Sequence, residues 1–240
     1  MTVRSSSPAP GPTVRWREVA NSLEECGYAR IPDLITGQDC QQLRSLYCKR
    51  ALFRSFVDLG AKGYGDKGDY QYFAHPLPAL VRHLRSQLYR PLARVANRWA
   101  ETLGRPERFP SSLRTYLRTC HDAGQTRPTP LLLRYQEGGY NCLHQDLYGK
   151  LAFPLQVAIL ISNPETAFSG GEFLLTEQKP RAQARGEALA LRLGEAVVFP
   201  NRVRPASGKR GPVACTVRHG VSRVTSGERM ALGLIFHDAE

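Results

Sequence analysis

From Pro130 onward the chain breaks into short apolar runs separated by Gly, Pro and polar turns, and no other feature narrows the possible fold as much. The runs cover residues 131–135, 142–147, 153–162, 172–176, 188–193, 196–199, 214–224 and 230–236. Each has the length of a strand, and strands at this spacing with turn signals between them predict a sandwich or barrel. Eight strands arranged as two Greek keys form a jelly roll, also described as a double-stranded β-helix.

The first half reads differently. Residues 14–25 predict a helix closed by Gly27, followed by a short strand over 27–32. A second helix is expected over 36–51, with Thr36 as its N-cap and Cys40, Leu43, Leu46 and Tyr47 on one face. Leu77, Leu80, Val81, Leu84, Leu88, Leu92, Val95, Trp99 and Leu103 recur at intervals of one, three and four, a buried helical stripe that Pro91 should kink or divide and Gly104 should end. Residues 111–119 predict a third helical stretch. The expected class is α+β: a disordered Ser/Pro/Gly-rich tail over 1–13, a helical region over 14–129, and a jelly-roll core over 130–238 with the helices packed on it.

The formal net charge of +12 favours an anionic partner, nucleic acid first. Arg outnumbers Lys 27 to 6 and the basic residues are scattered, so codon usage in a GC-rich genome accounts for the same excess without a partner. No apolar run approaches the 18 or more residues of a spanning helix, and the N-terminus lacks the apolar segment of a signal peptide. Six cysteines without a C-x-x-C pair are expected to be reduced thiols of a cytoplasmic protein.

His144-Gln145-Asp146 carries the chemistry. Residues i and i+2 of a strand share a face, so an imidazole and a carboxylate project side by side. Two His and one carboxylate on one side of a metal form the facial triad of non-haem Fe(II) oxygenases, which leaves coordination positions open for a co-substrate and O₂. Taken alone, H-x-D is equally a surface turn after a strand. For the third ligand His219 competes with His75, His83, His121 and His237. Of these, His219 lies in a late apolar run and is followed by a cation, Arg229. Thr225-Ser226-Gly227-Glu228 predicts a tight turn between two strands, placing Arg229 opposite Val224, five residues or roughly 17 Å from His219 along a hairpin. A guanidinium there suits one end of a dicarboxylate.

The stretch Leu133-Arg-Tyr-Gln-Glu-Gly-Gly-Tyr-Asn-Cys-Leu-His-Gln-Asp146 resembles the corresponding segment of the AlkB-like alkylation-repair dioxygenases. Phe168-Ser-Gly-Gly-Glu-Phe173 and Leu193-Gly-Glu-Ala-Val-Val-Phe199 are similar to two strands of 2-oxoglutarate oxygenases, and His219 with Arg229 ten residues on matches a prolyl-hydroxylase-like pattern. With Gly63-Tyr-Gly65, Tyr70-Gln-Tyr-Phe73, Arg127-Pro-Thr-Pro130 and Tyr140 to Gly149, the chain resembles a bacterial family of 2-oxoglutarate oxygenases associated with damaged nucleic acid. The resemblance implies Fe(II) on His144, Asp146 and His219, 2-oxoglutarate as cosubstrate anchored by Arg229 and hydrogen-bonded by Tyr135, O₂ as oxidant, and demethylation of damaged nucleobases in DNA repair. Leu133 stands where the AlkB-like pattern has Asn, and Arg223 is a loose match to its second Arg. A peptide, amino acid or small-metabolite hydroxylase is the alternative, and a non-catalytic jelly-roll binder a third.

Three further groups invite a role. Tyr64, Tyr70, Tyr72 and Phe73 among four glycines read either as a substrate lid or as a loop packed on the sheet. Cys142 is expected to line the site without binding metal. The loop bearing Arg202, Arg204, Lys209 and Arg210 either contacts phosphates or is a solvated connection.

Overall fold

In the computed structural model, residues 14–146 and 149–240 are described. The expected tail over 1–13 and Leu147 lie outside them. The chain runs α1 (Trp16–Glu25), β1 (Ala29–Ile31), α2 (Gly37–Leu46), β2 (Phe53–Asp58), α3 (Leu59–Lys62), β3 (Gly65–Phe73), α4 (Ala79–Thr102) and α5 (Leu113–Asp122). It continues as β4 (Leu131–His144), β5 (Leu155–Leu160), β6 (Phe168–Gly170), β7 (Phe173–Gln178), β8 (Arg185–Leu189), β9 (Ala196–Pro200), β10 (Val203–Gly208), β11 (Gly211–Val221), β12 (Val224–Gly227) and β13 (Arg229–Leu234).

The jelly roll is built around β4. The sheet order is β1-β9-β5-β13-β4-β11-β7-β8. Leu131 to Tyr135 of β4 pair with β13, whereas Asn141 and His144 pair with β11. One long strand thus feeds two layers, with Gly138 at φ 85° between its two pairing segments. A side chain at Gly139 would meet the Lys67 carbonyl at 2.6 Å and the Gln136 carbonyl at 2.8 Å, so the neighbouring strand requires glycine there.

Strand alternation separates two cores. Leu132, Val157, Ile159, Val198 and Leu232 face the helices and pack with Leu84, Leu88, Leu92 and Trp99 of α4. Their alternates, including Tyr135, Leu160, Val197 and Phe199, point into the roll, where they meet Phe173, Leu175 and Val217 from the other layer. The helical stripe stays one helix despite Pro91. Thr36 caps α2 in a reciprocal capping box with Asp39.

Several expectations are corrected. Region 14–129 is less helical than expected, because β2 and β3 join the sheet beside the expected short strand, β1. The glycine-rich aromatic segment is neither lid nor loop: β3 pairs with β4 from Gly65↔Asn141 to Tyr72↔Leu131. Its glycines serve close approach, since a Cβ on Gly65 would lie 2.1 Å from the Tyr140 carbonyl oxygen. The 225–228 hairpin does not form. β12 pairs instead with β6, and β4 lies between β11 and β13 in the sheet order. The 202–210 segment is largely strand β10, where buried Arg204 binds Glu177, with Nη2 donating to Oε2 at 2.9 Å.

Candidate active site

The C-terminal ends of β4 and β11 meet where His219 registers against His144. His144 is the last residue of its strand, and Asp146 follows just beyond it. The imidazole centroids lie 4.2 Å apart. His219 Nε2 lies 3.2 Å from Asp146 Oδ2, and His144 Nε2 lies 3.6 Å from Asp146 Oδ1. One ligand atom from each of the three residues falls within 4.8 Å of the others, the arrangement a single cation needs.

The surroundings fix these rings. His144 donates Nδ1–H to the Cys142 carbonyl at 2.7 Å, which leaves the Nε2 lone pair facing the carboxylate. Burial first, and the neighbouring His219 second, lower the His144 pKa and keep the imidazole neutral, the form that binds metal. His219 stacks on Phe173 at 6.0 Å and tilts against Phe199 at 4.7 Å. Cys142 lines the same space, but its carbonyl rather than its thiol serves the triad.

A cavity of about 420 Å³ opens from the triad into the roll. Arg229 and Tyr135 form one end of it, their α-carbons registered across β13 and β4. Arg229 is 2% exposed, and its guanidinium carbon sits 5.6 Å from the Tyr135 ring centroid. It makes no ion pair among the described residues, and its Nε has no hydrogen-bond partner there. Burial pushes its pKa down, with Tyr135 and Glu172 opposing the shift. A guanidinium keeps its proton, so this is a buried positive charge facing a cavity, costly unless an anion arrives. Burial also raises the Tyr135 phenol, whose oxygen accepts from Asn141 Nδ2 at 3.4 Å. Gly171 makes room for the guanidinium stem: a Cβ there would lie 2.8 Å from Arg229 Cδ.

The remaining expectations sort cleanly. His121 Nε2 binds Asp238 at 2.8 Å, away from the triad, with His75 at 3.8 Å from the same carboxylate. Arg223 donates to the Gly138 carbonyl at 3.1 Å and lies over Tyr140, outside the cavity lining. Tyr72 and Phe73 are buried, Tyr70 lines the cavity, and Tyr64 lies at its edge, 52% exposed. Sequence reasoning passed over Asn141 and Gln156, two buried amides in the lining. The signal for Gln156 was present: it is a lone polar residue in the apolar run 155–161, on the same strand face as Ala158 and Leu160.

The model of the Oxygenase-NA family, described as an oxygenase catalysing oxidative methylation of damaged DNA, matches residues 68–239. This chain belongs to the Oxygenase-NA family. Within the matched span lie β4, β11 and β13, with Tyr135, His144, Asp146, His219 and Arg229. Uncharacterized proteins from two strains of Mycobacterium tuberculosis are 53% identical over 167 residues, covering 70% of this chain and 72% of theirs. Among solved structures, an oxidoreductase of the 2OG-Fe(II) oxygenase family from Burkholderia pseudomallei superposes with a TM-score of 0.54 at 16% identity, covering 96% of this chain and 95% of that one. A prolyl hydroxylase from Trichoplax adhaerens, solved with a hypoxia inducible factor peptide, gives 0.56 at 14% identity, covering 92% and 87%. At these identities the likeness is one of fold. The Oxygenase-NA chain is an oxygenase built on the jelly roll of the 2OG-Fe(II) enzymes.

Proposed function

We propose that His144, Asp146 and His219 hold Fe(II), that Arg229 and Tyr135 bind 2-oxoglutarate, and that the enzyme oxidatively demethylates damaged nucleobases in DNA. The observation that carries the cosubstrate is the buried, unpaired Arg229 guanidinium in the cavity that the triad opens into. A bidentate carboxylate contact satisfies that charge, and a dicarboxylate leaves its other end for the metal. When bound, Fe(II) and 2-oxoglutarate supply the oxidant, O₂ giving one oxygen atom to succinate and the other to a substrate C–H bond, with loss of CO₂.

The chain contributes position and an apolar lining. Cys142 orients His144, while Phe173 and Phe199 hold His219. Tyr135 offers a protonated phenol beside Arg229, and Leu133, Ala158 and Ala231 give the cavity an apolar wall. Hydroxylation of an N-methyl group gives a hemiaminal, which releases formaldehyde and restores the base. The family description and the +12 charge support nucleic acid as the substrate.

The test incubates Fe(II)-loaded protein and 2-oxoglutarate with methylated single-stranded oligonucleotides, and separately with peptides and small metabolites. Formaldehyde and succinate in equal amounts from oligonucleotides are expected. Hydroxylated peptide or metabolite without formaldehyde would transfer the substrate to the alternative class, and no 2-oxoglutarate turnover at all would leave a binding protein. If phosphates are contacted, log K against log[salt] falls by roughly 0.7 per neutralised phosphate on single strands. A flat plot in a filter-binding titration would remove the nucleic-acid reading.

A further inference from the structure

We propose that Gln156 reads the substrate base: its side-chain amide, buried at the cavity end away from Arg229, pairs with the hydrogen-bonding edge of a methylated nucleobase. This rests on the nucleobase reading above and assigns the residue that selects among bases.

Position comes first. Gln156 lies on β5, 5% exposed, opposite Phe199 of β9, whose ring packs against His219. The β5–β13 register pairs Leu160 with Ala231 and Ala158 with Gly233. Extended in both directions, it sets Arg229 across from Ser162 and Ile235 across from Gln156. Six residues separate Gln156 from Ser162, roughly 20 Å along a strand. A cosubstrate reaching from the triad to Arg229 therefore leaves the Gln156 end unfilled.

The chemistry of that end is specific. Gln156 Nε2 is buried and has no hydrogen-bond partner among the described residues. A buried amide left unsatisfied costs about 1–3 kcal/mol, recovered when a ligand completes it. A primary amide presents a donor and an acceptor side by side, which suits the paired groups on a base edge. Tyr70 and the exposed Tyr64 line the same cavity and supply aromatic faces for a flat ring. Tyr70 is pushed up to about 12, chiefly by burial, so it adds no charge. A peptide would also offer an N–H and a carbonyl, but the tyrosines and the basic chain favour a base.

Two bases separate the roles of donor and acceptor. The edge of 3-methylthymine carries carbonyl acceptors, whereas 3-methylcytosine adds an amine donor. The experiment compares kcat/KM for single-stranded oligonucleotides bearing each base, using wild type, Gln156→Met and Gln156→Glu. Gln156→Met keeps the shape and removes both hydrogen bonds; it should lower kcat/KM for the preferred base about 10- to 100-fold, mainly through KM. Gln156→Glu accepts but does not donate, and should depress 3-methylthymine at least about tenfold more than 3-methylcytosine. A melting temperature that still rises with Mn(II) and 2-oxoglutarate marks each variant as folded. An unchanged ratio between the two bases in both variants overturns the role of Gln156 while leaving the nucleobase reading intact. Absence of turnover on every oligonucleotide by the wild type overturns that reading, and this assignment with it.

Discussion

At the scale of single residues, the site is defined by what is left unsatisfied. Arg229 carries a charge into the interior with no ion pair among the described residues, and His144 is kept neutral by burial and by a second imidazole. Replacing Arg229 by Met removes the charge and retains much of the stem packing. The variant should bind 2-oxoglutarate roughly 30- to 5000-fold more weakly, the range for removing one partner of a desolvated charge pair. Calorimetric titration of the Mn(II)-loaded protein measures this directly, and an unchanged Kd would place the cosubstrate elsewhere. The variant should also be no less stable than wild type in the absence of ligand, because the lost group is a desolvated cation.

Elements decide how those residues meet. Gly171 follows β6 at φ +64°, and a methyl group there would press on Arg229 Cδ at 2.8 Å and Val224 Cγ2 at 3.0 Å. Gly171→Ala should therefore cost about 1–2 kcal/mol of stability and raise the KM for 2-oxoglutarate. A normal KM in a destabilised variant would show that the guanidinium does not depend on this turn. A second element contact anchors the chain end. Arg85 of α4 donates to the Ile235 and His237 carbonyls at 2.8 and 3.0 Å and to Asp238 Oδ1 at 2.8 Å, all buried. Arg85→Met takes the buried cation from the Asp238 carboxylate, leaving it the half-exposed His121 and the more distant His75, and should cost roughly 3–5 kcal/mol in urea unfolding at pH 7. The helical stripe of α4 was legible because apolar spacing reports burial. Arg85, on that buried face, was not, because its partner lies more than a hundred residues away.

At the scale of the whole molecule, His237 should couple stability to acid. Its ring is 1% exposed, and Nδ1 accepts the Phe153 N–H at 3.1 Å, which requires an unprotonated nitrogen. Burial first and Arg85 second lower its pKa from 6.5 to about 4. Above pH 6.5 the ring is neutral in both states and has no effect. As pH falls from 6.5 to 4, the unfolded chain binds a proton that the folded chain refuses, so stability declines, by about 3 kcal/mol once both values are passed. His237→Asn should flatten this part of the profile when urea midpoints are compared between pH 7 and pH 4. Equal slopes for variant and wild type would assign the acid sensitivity to other groups. Among the described residues no helix is long and apolar enough to cross a membrane, and all six cysteines are free thiols.

Local patterning in the sequence determined the class of fold, most strand positions, the capped helices and the His144-Gln145-Asp146 pair, because side-chain period and turn chemistry act over a few residues. Only the tertiary structure decided the course of β4 through both layers, the pairing of β3 along it, and the replacement of the expected 225–228 hairpin by β12 on β6. The segment 65–73 carries glycines and charges that argue against a strand locally, yet those glycines let two backbones approach. Likewise the meeting of His219 with His144, and the placing of Gln156 opposite Phe199, follow from cross-strand register. Register is fixed by contacts between distant parts of the chain, and no local window of sequence contains them.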